Sequence, residues 1–314
     1  MLYFKIMDTD KLELLLTKGN YVFVIGNGIN QYAELGSWAD LLKNLTNEDD
    51  SLRQMISEDS KSEISFFEIY DLLKLQKKST EIRNSLLDKI EQSYTKKDDR
   101  ILKIRNALKD LKFPILTTNY DRNLDFDLNK HYLDTSSNFT RIYPWNVCYS
   151  DIEKGKFDTL NDFAVWHING VVDYKESIRL GLKDYAGLFA REKKFYVGNS
   201  NEKSVQPNFS TRNTWLDIFF KKPLCIIGLG LEKDEIFLRH LLLKRYQYRK
   251  NGCLTKIAKD SPADIFICAN KDEKAIPFLE LLGFEIVRTK EEKDYSGMYE
   301  NTVEVLKNLK TKRK

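Results

Sequence analysis

An α/β fold, with a parallel sheet covered by helices on both faces, is what this sequence of 314 residues predicts, and three observations predict it. Short apolar runs recur at residues 21–25, 113–117, 163–167, 223–228, 264–269 and 284–288. The first of these runs, YVFVI, lacks the polar alternation of a strand with one wet face, as expected of a strand buried on both sides. Segments of helical period separate most of them, the alternation that builds a parallel sheet.

In chain order, Asp8 and Asp10 can cap a short helix through Leu12, Leu15 and Leu16, with Gly19 free to end it in a left-handed conformation. YVFVI at 21–25 is the first strand, and it runs into Gly26-Asn27-Gly28-Ile29-Asn30. Ser37 then opens a helix in which Trp38, Leu41, Leu42 and Leu45 fall on one face. Residues 47–111 read as helical throughout, first through Ile82, Leu86 and Ile90, then through Ile101, Ile104, Leu108 and Leu111. The organisation expected is a single domain over 1–314, with its sheet core in about 20–46 and 112–290 and a helical insertion at about 47–111. Two polar stretches, 143–162 and 191–213, fit neither period and are expected to be lids or partner surfaces. The basic tail KNLKTKRK reads as a solvated terminus.

Composition narrows the function classes. Hydrophobic residues make up 42% of the chain and charged residues 31%, enough apolar mass for a large core and too much for a disordered protein. Lys plus Arg number 51 against 47 Asp plus Glu, a net charge of +4 that does not indicate nucleic-acid binding. Cys148, Cys225, Cys253 and Cys268 form no CxxC pair and no disulfide framework, so reduced thiols and no metal are expected. The N-terminus lacks the pattern of a secretory signal and no run approaches a membrane span, so a soluble, cytoplasmic protein is expected.

Polar groups gather where an open α/β sheet holds its ligands, at the carboxyl ends of strands. Gly26-x-Gly28 follows a buried strand, and without a Cβ in the way a phosphate can approach the backbone there. A tight turn that needs small residues explains the same pattern. The full dinucleotide fingerprint would add a glycine where Gln31 stands and an acidic residue about 20 residues on, so a hydride-transferring dehydrogenase is disfavoured. Thr117-Thr118-Asn119-Tyr120-Asp121 ends the second run in polar side chains, which could equally be local caps and turns. Trp166-His167-Ile168-Asn169-Gly170 puts an imidazole at a strand end; His131 is expected in a loop and His240 in a helix. His167 is therefore the best general-base candidate, the alternative being a structural donor. Gly228-Leu229-Gly230 is a second glycine loop, explained either by packing or by a ligand with two phosphates. Asn270 closes a further strand with an amide that could meet a ribose or an adenine edge.

Taken in order, GNGIN, TTNYD, WHING and IIGLGLEKDE resemble the sirtuin-like domain, specifically the divergent branch of bacterial anti-phage systems that destroys NAD. The resemblance covers about residues 20–290 and implies a Rossmann-like sheet. It implies that Gly26, Asn27, Gly28 and Ile29 lie along the pyrophosphate and ribose of NAD, with Thr118 beside them and Gly228 and Gly230 facing the same molecule. Asn119 carries over as the catalytic asparagine, Asp121 as the acceptor for the nicotinamide amide, His167 as the catalytic histidine and Asn270 as an adenosine contact. The zinc ribbon and the Phe-Arg pair of sirtuin deacylases are absent, and GSWADLL stands where that pair would be.

The activity this implies is hydrolysis of the nicotinamide–ribose bond of NAD, without a metal, by an effector that must be gated through homo-oligomer assembly or a separate regulatory protein. The two polar stretches are the expected gates. Competing readings are a non-catalytic subunit that binds NAD or ADP-ribose and, less favoured, an NAD-dependent protein deacylase.

Overall fold

The computed structural model describes residues 9–36, 65–76, 84–85, 87–91, 97–133, 145–192, 213–231, 235–250, 261–269, 273–288 and 294–313. The helix expected from Ser37, the residue Asn270 and most of the stretch 191–213 lie outside them.

Eight strands among the described residues form one sheet: β1 (Val22–Ile25), β2 (Ile115–Thr117), β3 (Asn129–Tyr132), β4 (Val147–Ser150), β5 (Val165–His167), β6 (Leu224–Ile227), β7 (Ile265–Cys268) and β8 (Glu285–Arg288). Their spatial order is β3-β4-β5-β2-β1-β6-β7-β8, and the six from β5 to β8 are parallel. That run of six has the order of the doubly wound Rossmann sheet. All six expected strands are present, each trimmed at one or both ends.

β3 and β4 were not expected; they add an antiparallel edge beside β5. β4 lies inside the polar stretch 143–162, so the start of that stretch is sheet and not lid. Trp145, Val147, Cys148 and Tyr149 are buried there, and a four-residue strand is too short to declare a period. His131, expected in a loop, sits on β3, where its Nε2 lies 3.2 Å from the Ser150 carbonyl oxygen.

The alternation along β1 explains why its residues are apolar without exception. Phe23 and Ile25 join one core layer with the helices Thr9–Thr17, Asp99–Asp110 and Tyr295–Lys312. Val22 and Val24 join the other, under the helices Leu182–Glu192, Trp215–Lys221, Ile236–Lys250 and Ile276–Leu281. Each such fully buried side chain stabilises the fold by about 1.5–3 kcal/mol relative to exposure. The helix Asp99–Asp110 is capped by Asp98, whose carboxylate accepts from the amides of Arg100 (2.8 Å) and Ile101 (3.4 Å), and it packs directly on the sheet. Gly19 does not take the expected left-handed conformation. Its lack of a side chain instead admits Pro262, whose Cγ would lie 2.7 Å from an added Cβ.

The described part of the helical insertion does something more specific. Ile69, Tyr70 and Leu73 of the helix Phe66–Gln76, with Leu87 and Ile90, pack on Val172, Ile178, Leu180 and Tyr120. Those partners follow β5 and β2, so the insertion roofs the carboxyl ends of these strands. Asp71 ties the roof down by accepting from the Leu182 amide at 2.9 Å. Among the described residues no helix is long and apolar enough to cross a membrane.

Candidate functional site

Sheet register brings the sequence motifs together. Ile25 pairs with Thr117 on one side and with Ile227 on the other, and Thr117 pairs with His167. The last residues of β6, β1, β2 and β5 thus form one row across the sheet, and the chain leaves all four strands at the same edge. From β1 the chain works outward through β2 to the β3 edge, then returns through the helix Trp215–Lys221 to β6 on the opposite side of β1. Connections depart in opposite directions at the β1–β6 boundary, the topological switch point at which such sheets open a crevice.

The two glycine loops meet at that boundary. The Gly28 amide donates to the Gly228 carbonyl at 2.9 Å and the Gly26 amide to the Ile227 carbonyl at 3.3 Å. A Cβ at Gly26 would stand 2.6 Å from the Gly228 oxygen, and one at Gly28 2.8 Å from the Gly228 Cα. Gly228 itself has φ +64°. Close approach of one loop to the other is therefore enough to demand these glycines, whatever else they serve. Gly230 is exposed and Asn27 half-buried. The side chain of Ile29, expected along a ligand, is fully buried in the core layer with Phe23 and Ile25.

Asn119 and His167 come together beside Gly26. The Asn119 side-chain amide donates to the Gly26 carbonyl at 3.4 Å, and its backbone amide donates to Thr117 Oγ1 at 3.1 Å. Thr117 Oγ1 donates in turn to the Ile25 carbonyl at 2.9 Å, and the Thr118 amide to the same oxygen at 3.2 Å. His167 Nδ1 lies 2.8 Å from the Asn119 main-chain carbonyl oxygen and its Nε2 lies 3.3 Å from Asp125 Oδ2. A carbonyl only accepts, so Nδ1 carries a proton. Burial alone would lower the affinity of this ring for its second proton. The Asp125 carboxylate and the Asn119 carbonyl outweigh that and raise the pKa above the ordinary histidine value. His167 is 2% exposed and Asn119 6%, so both are covered in this arrangement.

Asp121 stands on the other flank of the same turn. Its Oδ2 accepts from the Asn30 amide at 2.7 Å and its Oδ1 from the Asn123 backbone amide at 3.0 Å; Asn123 Nδ2 donates to Asn30 Oδ1 at 3.2 Å. Burial raises the pKa of Asp121 despite those bonds.

No protein-family model matches this chain, and no curated protein matches its sequence.

Three residues at this site carry roles the sequence reading did not assign. Asn30 links the first glycine loop to Asp121. Asn123 completes that link. Asp125, fully buried, holds the imidazole and also accepts from Arg122 Nε at 3.1 Å. Arg122 lies 4.1 Å over the Tyr149 ring and donates to Asp173 at 2.8 Å, so the imidazole is anchored through Asp125 to a charge network reaching β4. Asp125 lies 42 residues from His167, and no local pattern reports a pairing at that separation.

Proposed function

We propose that this protein is an NAD hydrolase that cleaves the nicotinamide–ribose bond. The observation that carries the reading is the hydrogen-bonded cluster of Gly26, Asn119 and His167 at the switch point of a sheet with Rossmann order. Dinucleotides bind at that place in such sheets, and an amide beside an imidazole suits chemistry on a sugar carbon.

In this reading NAD lies across the Gly26–Gly28 and Gly228–Gly230 loops with its nicotinamide ribose at Asn119. The C1′–N bond breaks with its electron pair going to the pyridinium nitrogen, which is neutralised, and a water oxygen bonds to C1′. The protein's work is positioning and stabilising an oxocarbenium-like transition state. The Asn119 carboxamide holds the ribose or the water. His167, in its neutral form with Nδ1–H kept on the Asn119 main-chain carbonyl, takes the water's proton at Nε2, directly or through a ribose hydroxyl. The Asp125 contact at 3.3 Å is the looser of its two bonds, so Nε2 is the atom that must release. Asp121 would accept from the nicotinamide amide after Asn30 yields it. The resemblance of the four motifs to the sirtuin-like domain supports the same roles and, in this reading, a part in NAD-depleting defence. Gating by self-assembly or by a regulatory subunit fits a site whose two key side chains are covered at rest.

A second reading is favoured by that same coverage. With both ring nitrogens engaged inside the protein, His167 can serve as a structural brace in a subunit that binds NAD or ADP-ribose without cutting it. Incubating the full chain with NAD, alone and with an acylated peptide, and following free nicotinamide separates these readings. Release without peptide that is lost in Asn119→Ala supports hydrolysis. ADP-ribose binding with no release under any condition, assembled species included, supports the binding module. Release only with peptide points to deacylation.

A further inference from the structure

The helix Tyr295–Lys312 carries a phenol that the reading above leaves unused. Tyr299 is 1% exposed, and its buried hydroxyl has no hydrogen-bond partner among the described residues. Its ring is fixed by stacking on Tyr32, with centroids 4.8 Å apart and planes 22° from parallel. This aims the hydroxyl at the crossing of the two glycine loops. A side-chain carbon at Gly228 would collide with the Tyr299 oxygen, and one at Gly28 would lie 2.9 Å from it. Burial, aided by Glu273, pushes the phenol's pKa well above its usual range, so the oxygen keeps its proton and can donate.

A buried hydroxyl without a partner costs stability that a phenylalanine of the same shape would avoid. The crossing also lacks a donor it would be expected to offer, because the Gly28 amide is committed to the Gly228 carbonyl at 2.9 Å. We propose that Tyr299 is a ligand-binding residue whose O–H donates to an anionic oxygen of a nucleoside diphosphate resting on the Gly28–Gly228 crossing. This rests on the reading that a dinucleotide occupies the switch point, and it names the group that meets the diphosphate there.

The test uses the full chain as wild type and as Tyr299→Phe, with thermal melts lacking ligand and calorimetric titrations with ADP-ribose and with adenosine. The expected result is an unchanged or higher melting temperature without ligand, about tenfold weaker ADP-ribose binding in the variant, and adenosine binding equal in both. Three outcomes overturn the assignment while leaving the dinucleotide reading intact: equal ADP-ribose affinity, an equal loss for adenosine, or a melting temperature several degrees lower, which would mean that the hydroxyl is bonded within the fold. Failure of the wild type to bind ADP-ribose overturns both.

Discussion

Replacing Asp125 by asparagine tests the electrostatics of the site directly. The carboxylate is fully buried, and its Oδ2 meets His167 Nε2 at 3.3 Å and Arg122 Nε at 3.1 Å. At 3.3 Å two unit charges in an effective dielectric of about 20 attract by about 5 kcal/mol. Burial of the imidazolium opposes this, and the Asn119 carbonyl remains in the variant. A lower His167 pKa than in the wild type is therefore expected, because the largest attraction that raises it is gone. Arg122 keeps Asp173 at 2.8 Å, which limits the damage on that side. The chain has three histidines, so ring C–H resonances followed by NMR across pH, assigned by single His→Gln variants, give the value. Because the folded pKa of wild-type His167 is raised, its contribution to stability is whole below the unfolded value of about 6.5 and is lost as pH rises through the folded value. The stability gap between wild type and Asp125→Asn should accordingly widen from alkaline pH toward 6.5. A His167 titration that stays put or moves upward in the variant would refute the argument.

Asn119→Ala should lower nicotinamide release by about 10²-fold or more, yet cost less than about 1 kcal/mol of stability, since its side chain makes one long bond at 3.4 Å; paired turnover and urea measurements check both. Gly228→Ala should destabilise by about 2 kcal/mol or more, because it combines a positive φ with a collision against Tyr299, whereas Gly283→Ala, also at positive φ but with open space around it, should cost about 1 kcal/mol; thermal melts compare the two. Asp264→Asn should cost about 3–5 kcal/mol by stranding the buried Arg245, which it now meets at 2.9 Å. Burial opposes the Asp264 charge but Arg245 and Arg249 hold its folded pKa below the ordinary value, so the wild-type advantage exists above about pH 3.9 and disappears as pH falls through the folded value; urea unfolding at several acidic pH values should show that slope flattened in the variant.

Much of the fold was legible because strands buried on both faces must be apolar at every position. YVFVI and CII could be found without knowing their neighbours. β3 and β4 were not legible for the opposite reason. Asn129 to Tyr132 is a polar edge strand, and what makes it a strand is its ladder with β4, including the pair His131 with Cys148. At the site, Asn119 and His167 were visible as polar groups ending apolar runs. Asp125, Asn30 and Tyr299 were not, because their significance lies in what stands opposite them: an imidazole, a carboxylate and the bare Cα of Gly228.

Local chemistry written along the chain was enough to determine the α/β class, the positions of the six parallel strands and the polar mouths of β1, β2, β5 and β6. Side-chain period and glycine placement act over a few residues, and that is the range at which a sequence speaks plainly. Only the tertiary structure decided that Ile29 turns into the core, that the insertion roofs β2 and β5, and that Asp125 grips His167. These are matters of register and packing between segments tens to hundreds of residues apart, where the free energy comes from pairs of groups that no local pattern encodes.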